Sequence, residues 1–214
     1  MGTQGPIGRA LYELVCLSGS AAGPLIGGLR HYNVPHREQM QGGLLVASNH
    51  QSFFDPVLVG MRLPRPICYL ARDTLFDVPG FGAAIWSVGA RPVKRGSVSP
   101  DAIRTVVKLL RSGEGLLMFP EGTRTSDGEL GRFSPGAASV AIRCGVPVLP
   151  VCIEGAFRSW PRTRLLPRAS PMAVAFGEPI NSGGQSADEL TRRIRQEILR
   201  LQGFLRERLA WRTR

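Results

Sequence analysis

His50 and Asp55, in the stretch Ser48-Asn49-His50-Gln51-Ser52-Phe53-Phe54-Asp55, have the residue types best suited in this chain to moving a proton. Imidazole takes and gives protons near neutral pH, and a carboxylate in contact with it sets which ring nitrogen carries the proton. Within one continuous helix the two could not share a face, since five steps turn about 500°. A bend between them removes that obstacle. Pro56 marks where the bend ends, because proline suits the first helical position and aspartate the cap before it. The same octapeptide also fits an ordinary loop histidine followed by a capping aspartate, so taken alone it leaves both readings open.

Three other stretches have chemical potential. Phe119-Pro120-Glu121-Gly122-Thr123-Arg124-Thr125 follows a buried apolar run. Its glycine frees the backbone, its hydroxyls donate hydrogen bonds, and Arg124 offers a fixed cation, a set that can hold a phosphate. A surface turn with Glu121 paired to an arginine accounts for the same residues. Gly89-Ala90-Arg91-Pro92-Val93-Lys94-Arg95-Gly96 puts three cations at the end of a short extended piece, which a solvated charge cluster also explains. In Val146-Pro147-Val148-Leu149-Pro150-Val151 each proline removes a ladder donor, which predicts a distorted strand beside a pocket.

These groups need a frame, and the apolar pattern supplies one. Leu44–Ala47 reads as a strand ending in the polar loop that carries His50, with a helix over Asp55–Arg62. Strands follow at Ile67–Ala71, Ala90–Lys94, Leu116–Phe119, Val146–Ile153 and Met172–Phe176. Helices are expected over Leu75–Ser87 (interrupted at Pro79-Gly80), from Pro100 to Arg111 behind Ser99, and over Pro135–Arg143 with Gly145 as stop. From a capping box at Ser186 and Glu189, the residues Leu190, Ile194, Ile198, Leu201, Leu205 and Leu209 trace one face of a helix whose other face is arginine-rich. Core packing is its expected role, with membrane contact second. Strands alternating with helices predict an α/β fold, a mostly parallel central sheet flanked by helices on both faces. Residues 1–40 read as an N-terminal helical arm, apolar on one side through Leu25, Ile26 and Leu29, with residues 31–42 as a polar link. Residues 41–214 form the domain.

The totals narrow the partners. The 214 residues carry a net charge of +11, almost all of it arginine, since Lys94 and Lys108 are the only lysines. Guanidinium forks suit phosphate oxygens, though a coding bias toward arginine gives the same composition. Cys16, Cys68, Cys144 and Cys152 sit in apolar contexts without metal or disulfide spacing, so they are expected as reduced core residues. No run of about 18 uncharged apolar residues reads as a transmembrane helix. The first residues lack signal-peptide and myristoylation patterns. A nucleic-acid-binding domain is permitted by the charge, but no recognition module is present and aromatic residues are only 7%.

Four blocks in order make the chain resemble the glycerophospholipid acyltransferase family. Asn49-His50-Gln51-Ser52-Phe53-Phe54-Asp55 is similar to its N-H-x(4)-D signature, and Phe119 to Arg124 to its F-P-E-G-T-R block. Gly89 to Arg95 resembles the second block, Val146 to Pro150 the closing proline block. Ala71-Arg72 with Leu75-Phe76 and Pro79 resembles the segment between the first two, with Arg72 where lysine is common. Lys94 and Arg91 depart from the pattern, which bears on the acceptor and not on the reaction. The likeness spans roughly residues 40 to 180. It implies transfer of an acyl group from a thioester of coenzyme A or acyl carrier protein to the hydroxyl of 1-acyl-glycerol-3-phosphate, giving phosphatidic acid. Glycerol-3-phosphate, dihydroxyacetone phosphate and another lysophospholipid are alternative acceptors. It further implies His50 as base and Asp55 as its orienting carboxylate, with no metal, no cofactor and no acyl-enzyme. Arg95 and Arg124 would grip phosphate with Arg72 assisting, Glu121 would orient an arginine or a second acceptor hydroxyl, and Gly122 and Thr123 would shape that loop. The enzyme would work peripherally or monotopically on the cytoplasmic face of an anionic membrane. A non-catalytic membrane-associated relative is the rival reading.

Overall fold

The computed structural model describes residues 27–93 and 100–210. Among them, seven strands form one sheet in the order β1-β7-β6-β2-β5-β3-β4. The strands are β1 (Leu29–Tyr32), β2 (Leu44–Ser48), β3 (Ile67–Arg72), β4 (Ala90–Val93), β5 (Gly115–Met118), β6 (Val148–Glu154) and β7 (Met172–Phe176). The block from β6 to β4 is parallel throughout, while β7 runs antiparallel to β6 and β1 runs parallel to β7. The helices are α1 (Asp55–Gly60), α2 (Phe81–Ser87), α3 (Pro100–Arg111), α4 (Gly136–Cys144), α5 (Ala156–Ser159) and α6 (Ala187–Ala210).

Strand period 2 divides the core in two. Leu45 and Ala47 of β2 face a layer built by Val106, Leu109 and Leu110 of α3, the alanines of α4 and the apolar stripe of α6. Leu44 and Val46 face Met40, then Leu58 and Val59 of α1. Both faces are therefore covered, as parallel strands with near-continuous apolar runs require. Leu190, Ile194, Ile198, Leu201 and Leu205 are each 0–1% exposed. At about 1.5–3 kcal/mol per buried side chain, that face contributes on the order of 10 kcal/mol. Core packing thus accounts for the α6 stripe. Its start is capped as the capping box predicts, with the Glu189 N–H donating to Ser186 Oγ at 3.2 Å.

Two expectations give way. Residues 29–32 are not helical: Gly27 and Gly28 adopt φ of 95° and 92°, outside the right-handed helical region. The residues that follow pair with β7, Leu29 opposite Met172 through Tyr32 opposite Ala175. A short 3₁₀ helix, Arg37–Met40, then seats Met40 in the core at 1% exposure. The sheet therefore begins before residue 41, and the rest of the expected arm, residues 1–26, lies outside the described residues. Likewise, the helix expected over Leu75–Ser87 is a 3₁₀ turn at Asp73–Leu75, a bend through Pro79-Gly80 and then α2. No helix among the described residues is long and apolar enough to cross a membrane.

Candidate active site

The chain must leave the sheet cleanly to present His50. β2 lies between β5 and β6, and its ladder with β6 ends at Ser48 opposite Val151. One residue later, the Asn49 side chain substitutes for the missing backbone. Its Oδ1 accepts the Ile153 N–H at 2.7 Å and its Nδ2 donates to the Ile153 carbonyl at 2.8 Å. A buried amide pair of this kind satisfies β6 beyond the strand end and frees the main chain to turn. The turn lies at the carboxyl edge of the parallel strands, where the β5–α4–β6 connection crosses over β2 and open α/β sheets form their crevices.

Within that turn, His50 Nδ1 lies 2.7 Å from Asp55 Oδ2. The same oxygen accepts the N–H groups of Gln51 at 2.6 Å and Ser52 at 2.8 Å. Asp55 is fully buried and is the first residue of α1, followed by Pro56. It is not the cap expected from the sequence: Phe54 occupies the cap position, and the carboxylate turns back to hold the N–H groups of the preceding turn along with the imidazole. A carboxylate oxygen only accepts, so Nδ1 carries the hydrogen and Nε2 keeps a free lone pair. The His50 side chain is 19% exposed. Its ring stacks on Phe119 with centroids 3.8 Å apart and planes 11° from parallel. Two contacts thus fix the imidazole, one at its edge and one on its face.

Glu121 joins two stretches of main chain. Oε1 accepts the His50 N–H and Oε2 the Gly131 N–H, each at 2.9 Å. The carboxylate clamps the His50 main chain to the loop after β5, a second bridge being the Thr125 N–H to the His50 carbonyl at 2.8 Å. Burial pushes the Glu121 carboxyl up, and the two amide bonds pull it back down. Glutamine can satisfy only one amide and turns an NH₂ toward the other. Glu121→Gln is expected to lower turnover by roughly tenfold, about 1.4 kcal/mol in the barrier, with little change in acceptor KM. Unchanged turnover in steady-state kinetics would count against the clamp.

Gly122 ends a turn in which its N–H donates to the Phe119 carbonyl at 2.9 Å, with φ of 71°. Gly122 and Thr123 are exposed on the same loop as Arg124. Arg124 lies over the Phe53 ring, its guanidinium carbon 3.5 Å from the centroid. Its Nη1 is buried and has no hydrogen-bond partner among the described residues. Burial lowers the Arg124 pKa; the Asp55 carboxylate opposes this, and the like charges of Arg162 and Arg72 add to it. Arg72 ends β3 at the same edge of the sheet and is exposed. Lys94 and Arg95 lie outside the described residues. Arg91, by contrast, is buried and turned back, donating to the Ala90 carbonyl at 2.9 Å with its guanidinium 4.7 Å from the Trp86 ring.

The sequence reading did not single out Arg162, Trp160 or Asn49 for any role. Trp160 packs on Phe53 and Phe54, and its carbonyl accepts the Ser52 hydroxyl at 2.9 Å. The Asn49 position within the signature was the only available signal. Pro147 precedes β6, and Pro150 lies within it, at an irregularity of its pairing. Pro150 sits where the β6–β7 ladder is already interrupted, between the Val148–Ile180 bridge and the Val151–Phe176 pair. Its missing N–H faces that gap, and its carbonyl accepts the Gly177 N–H at 2.8 Å. Among the described residues no cluster of His, Cys, Asp or Glu is placed to hold a metal ion.

Comparison with known proteins bears on this site. The family model described as Acyltransferase matches residues 30–154, more than half of the chain. The chain is 33% identical over 156 residues to the chloroplastic 1-acyl-sn-glycerol-3-phosphate acyltransferase LPAT1 of Arabidopsis thaliana, covering 71% of this chain and 42% of that protein. It is 32% identical over 158 residues to the 1-acyl-sn-glycerol-3-phosphate acyltransferase of Bacillus subtilis, covering 73% and 76% respectively. The chain thus spans less than half the length of its chloroplast relative. The crystal structure of the 1-acyl-sn-glycerophosphate acyltransferase PlsC of Thermotoga maritima shares the fold. Its TM-score is 0.79 at 24% identity, over 93% of this chain and 81% of that one.

Proposed function

The chain belongs to the acyltransferase family, and from that premise we propose that it moves a fatty acyl group from an acyl thioester to the free hydroxyl of 1-acyl-glycerol-3-phosphate, forming phosphatidic acid. The observation that carries this reading is the His50–Asp55 pair at 2.7 Å, on the same sheet edge as the unpartnered buried Nη1 of Arg124. One group activates an alcohol and the other seeks an anion.

In this reading Nε2 of His50 removes the acceptor hydroxyl proton as its oxygen attacks the thioester carbonyl carbon. The tetrahedral intermediate collapses with cleavage of the carbon–sulfur bond, and the departing sulfur takes the proton back from the imidazolium. The Asp55 carboxylate holds the ring and stabilises its cation in between. The chain has no G-x-S-x-G elbow. Attack is therefore direct, without an acyl-enzyme. Arg124, with Arg72 and Arg95, grips the acceptor phosphate. The donor is a thioester of coenzyme A or acyl carrier protein, and the enzyme sits peripherally on the cytoplasmic face of an anionic membrane.

An acceptor panel tests the reading. Purified protein with a labelled long-chain acyl thioester should convert 1-acyl-glycerol-3-phosphate to a product of phosphatidic acid mass, and dephosphorylated acceptor poorly. Arg124→Ala should raise the phosphorylated acceptor's KM by tenfold or more, the scale of one charge-assisted contact of about 1.5–3 kcal/mol. An Arg124→Ala enzyme that still prefers the phosphorylated acceptor as strongly as the parent would remove the phosphate role. Absence of any acyl transfer would remove the function.

A further inference from the structure

The chain leaving α5 forms a closed protrusion. Its base is tied three times: Ser159 Oγ donates to the Arg168 carbonyl at 2.8 Å, the Arg168 N–H to the Ser159 carbonyl at 3.0 Å, and Arg168 Nε to the Arg158 carbonyl at 2.7 Å. Inside, Trp160 Nε1 donates to the Arg164 carbonyl at 3.1 Å. The loop is thus ordered by its own hydrogen bonds. Yet its tip exposes two adjacent leucines, Leu165 at 92% and Leu166 at 75%. Single exposed apolar residues need no explanation, but a fixed pair at the tip of a projecting loop does.

The surrounding charge points to what covers them. Between Glu154 and Glu178 the chain carries Arg158, Arg162, Arg164 and Arg168 and no acid. All four are exposed and flank the two leucines along the chain, a combination of cations and apolar side chains that suits an anionic lipid surface. Leu75 and Val78 are also exposed, at 38% and 48%, and follow β3 at the same carboxyl edge of the sheet. At the loop root, Trp160 packs on Phe53 and Phe54, a few residues from His50.

We propose that the loop from Trp160 to Arg168 docks the protein on an anionic phospholipid bilayer, with Leu165 and Leu166 inserted among the acyl chains and the arginines at the headgroups. The catalytic edge then faces the bilayer. The choice of a lipid partner rests on the proposed function, but the surface is tested by binding alone.

Sedimentation of the full chain with vesicles of phosphatidylcholine containing phosphatidylglycerol should give strong binding, and pure phosphatidylcholine weak binding. The double variant L165S/L166S should bind the anionic vesicles at least about tenfold more weakly, with the parent melting temperature and parent turnover on a short-chain, water-soluble acceptor. R164E should lose severalfold on anionic vesicles and change little on neutral ones. Parent-like vesicle binding by L165S/L166S overturns the docking surface, and so does an R164E variant indifferent to lipid charge. Failure of acyl transfer with these vesicle results intact would strike the proposed function and leave the surface standing.

Discussion

Replacing His50 by alanine is expected to lower turnover by about 10²-fold or more while the acceptor KM changes little, an effect of at least about 2.7 kcal/mol on the barrier. The side chain supplies the lone pair that accepts the hydroxyl proton, and no other imidazole stands at this edge among the described residues. His31 is committed elsewhere, with Nε2 2.9 Å from the Leu58 carbonyl; burial holds its pKa below the usual histidine value. The fold should survive the change. The main-chain bonds of His50 to Glu121 and Thr125 do not involve the ring, which is partly exposed. Removing the stack on Phe119 costs packing at one face only. Measured kcat and KM for the acceptor, with a thermal melt as control, decide the matter. A His50→Ala enzyme with near-parent kcat would remove the base mechanism.

How far this site could be read from residues alone follows from which contacts are local. His50 and Asp55 are five positions apart, and proline at the helix start fixes the bend between them, so their meeting follows from local rules. The α6 stripe was legible for the same reason, because period 3.6 encodes one buried face. Glu121 was not. Its partners are main-chain N–H groups 71 and 10 positions away, and no side-chain pattern records a bond to a backbone amide. The Asn49 amide that extends β2 is hidden likewise, since its partner Ile153 lies 104 positions on. Arg162 and Trp160 sit in a loop without periodicity, and Trp160 is placed by contacts with Phe53, Phe54 and Ser52. The strand character of residues 29–32 depends on an edge offered by β7, a tertiary condition that outweighs a weak helical spacing.

Asp55→Asn carries the second large expected effect, and it separates the carboxylate's chemical role from its role in holding the turn before α1. One oxygen of Asp55 holds three hydrogens, from His50 Nδ1 and the N–H groups of Gln51 and Ser52. An asparagine with its oxygen in that place keeps all three contacts but loses the charge, so the imidazolium formed during transfer is no longer offset. Turned the other way, its NH₂ confronts two N–H donors and forces the hydrogen onto Nε2, where the lone pair is needed. Either orientation disables the base. The expected loss in turnover is about 10³- to 10⁴-fold, the scale seen when a triad carboxylate is made an amide. Stability should fall by only about 1–3 kcal/mol, because the first orientation still satisfies the turn. The expected pattern is therefore a near-parent melt with collapsed kcat. Were the variant to lose fold and activity in step, Asp55 would be a brace for the turn before α1 and nothing more. Were it to keep its turnover, the imidazole would be working without a carboxylate.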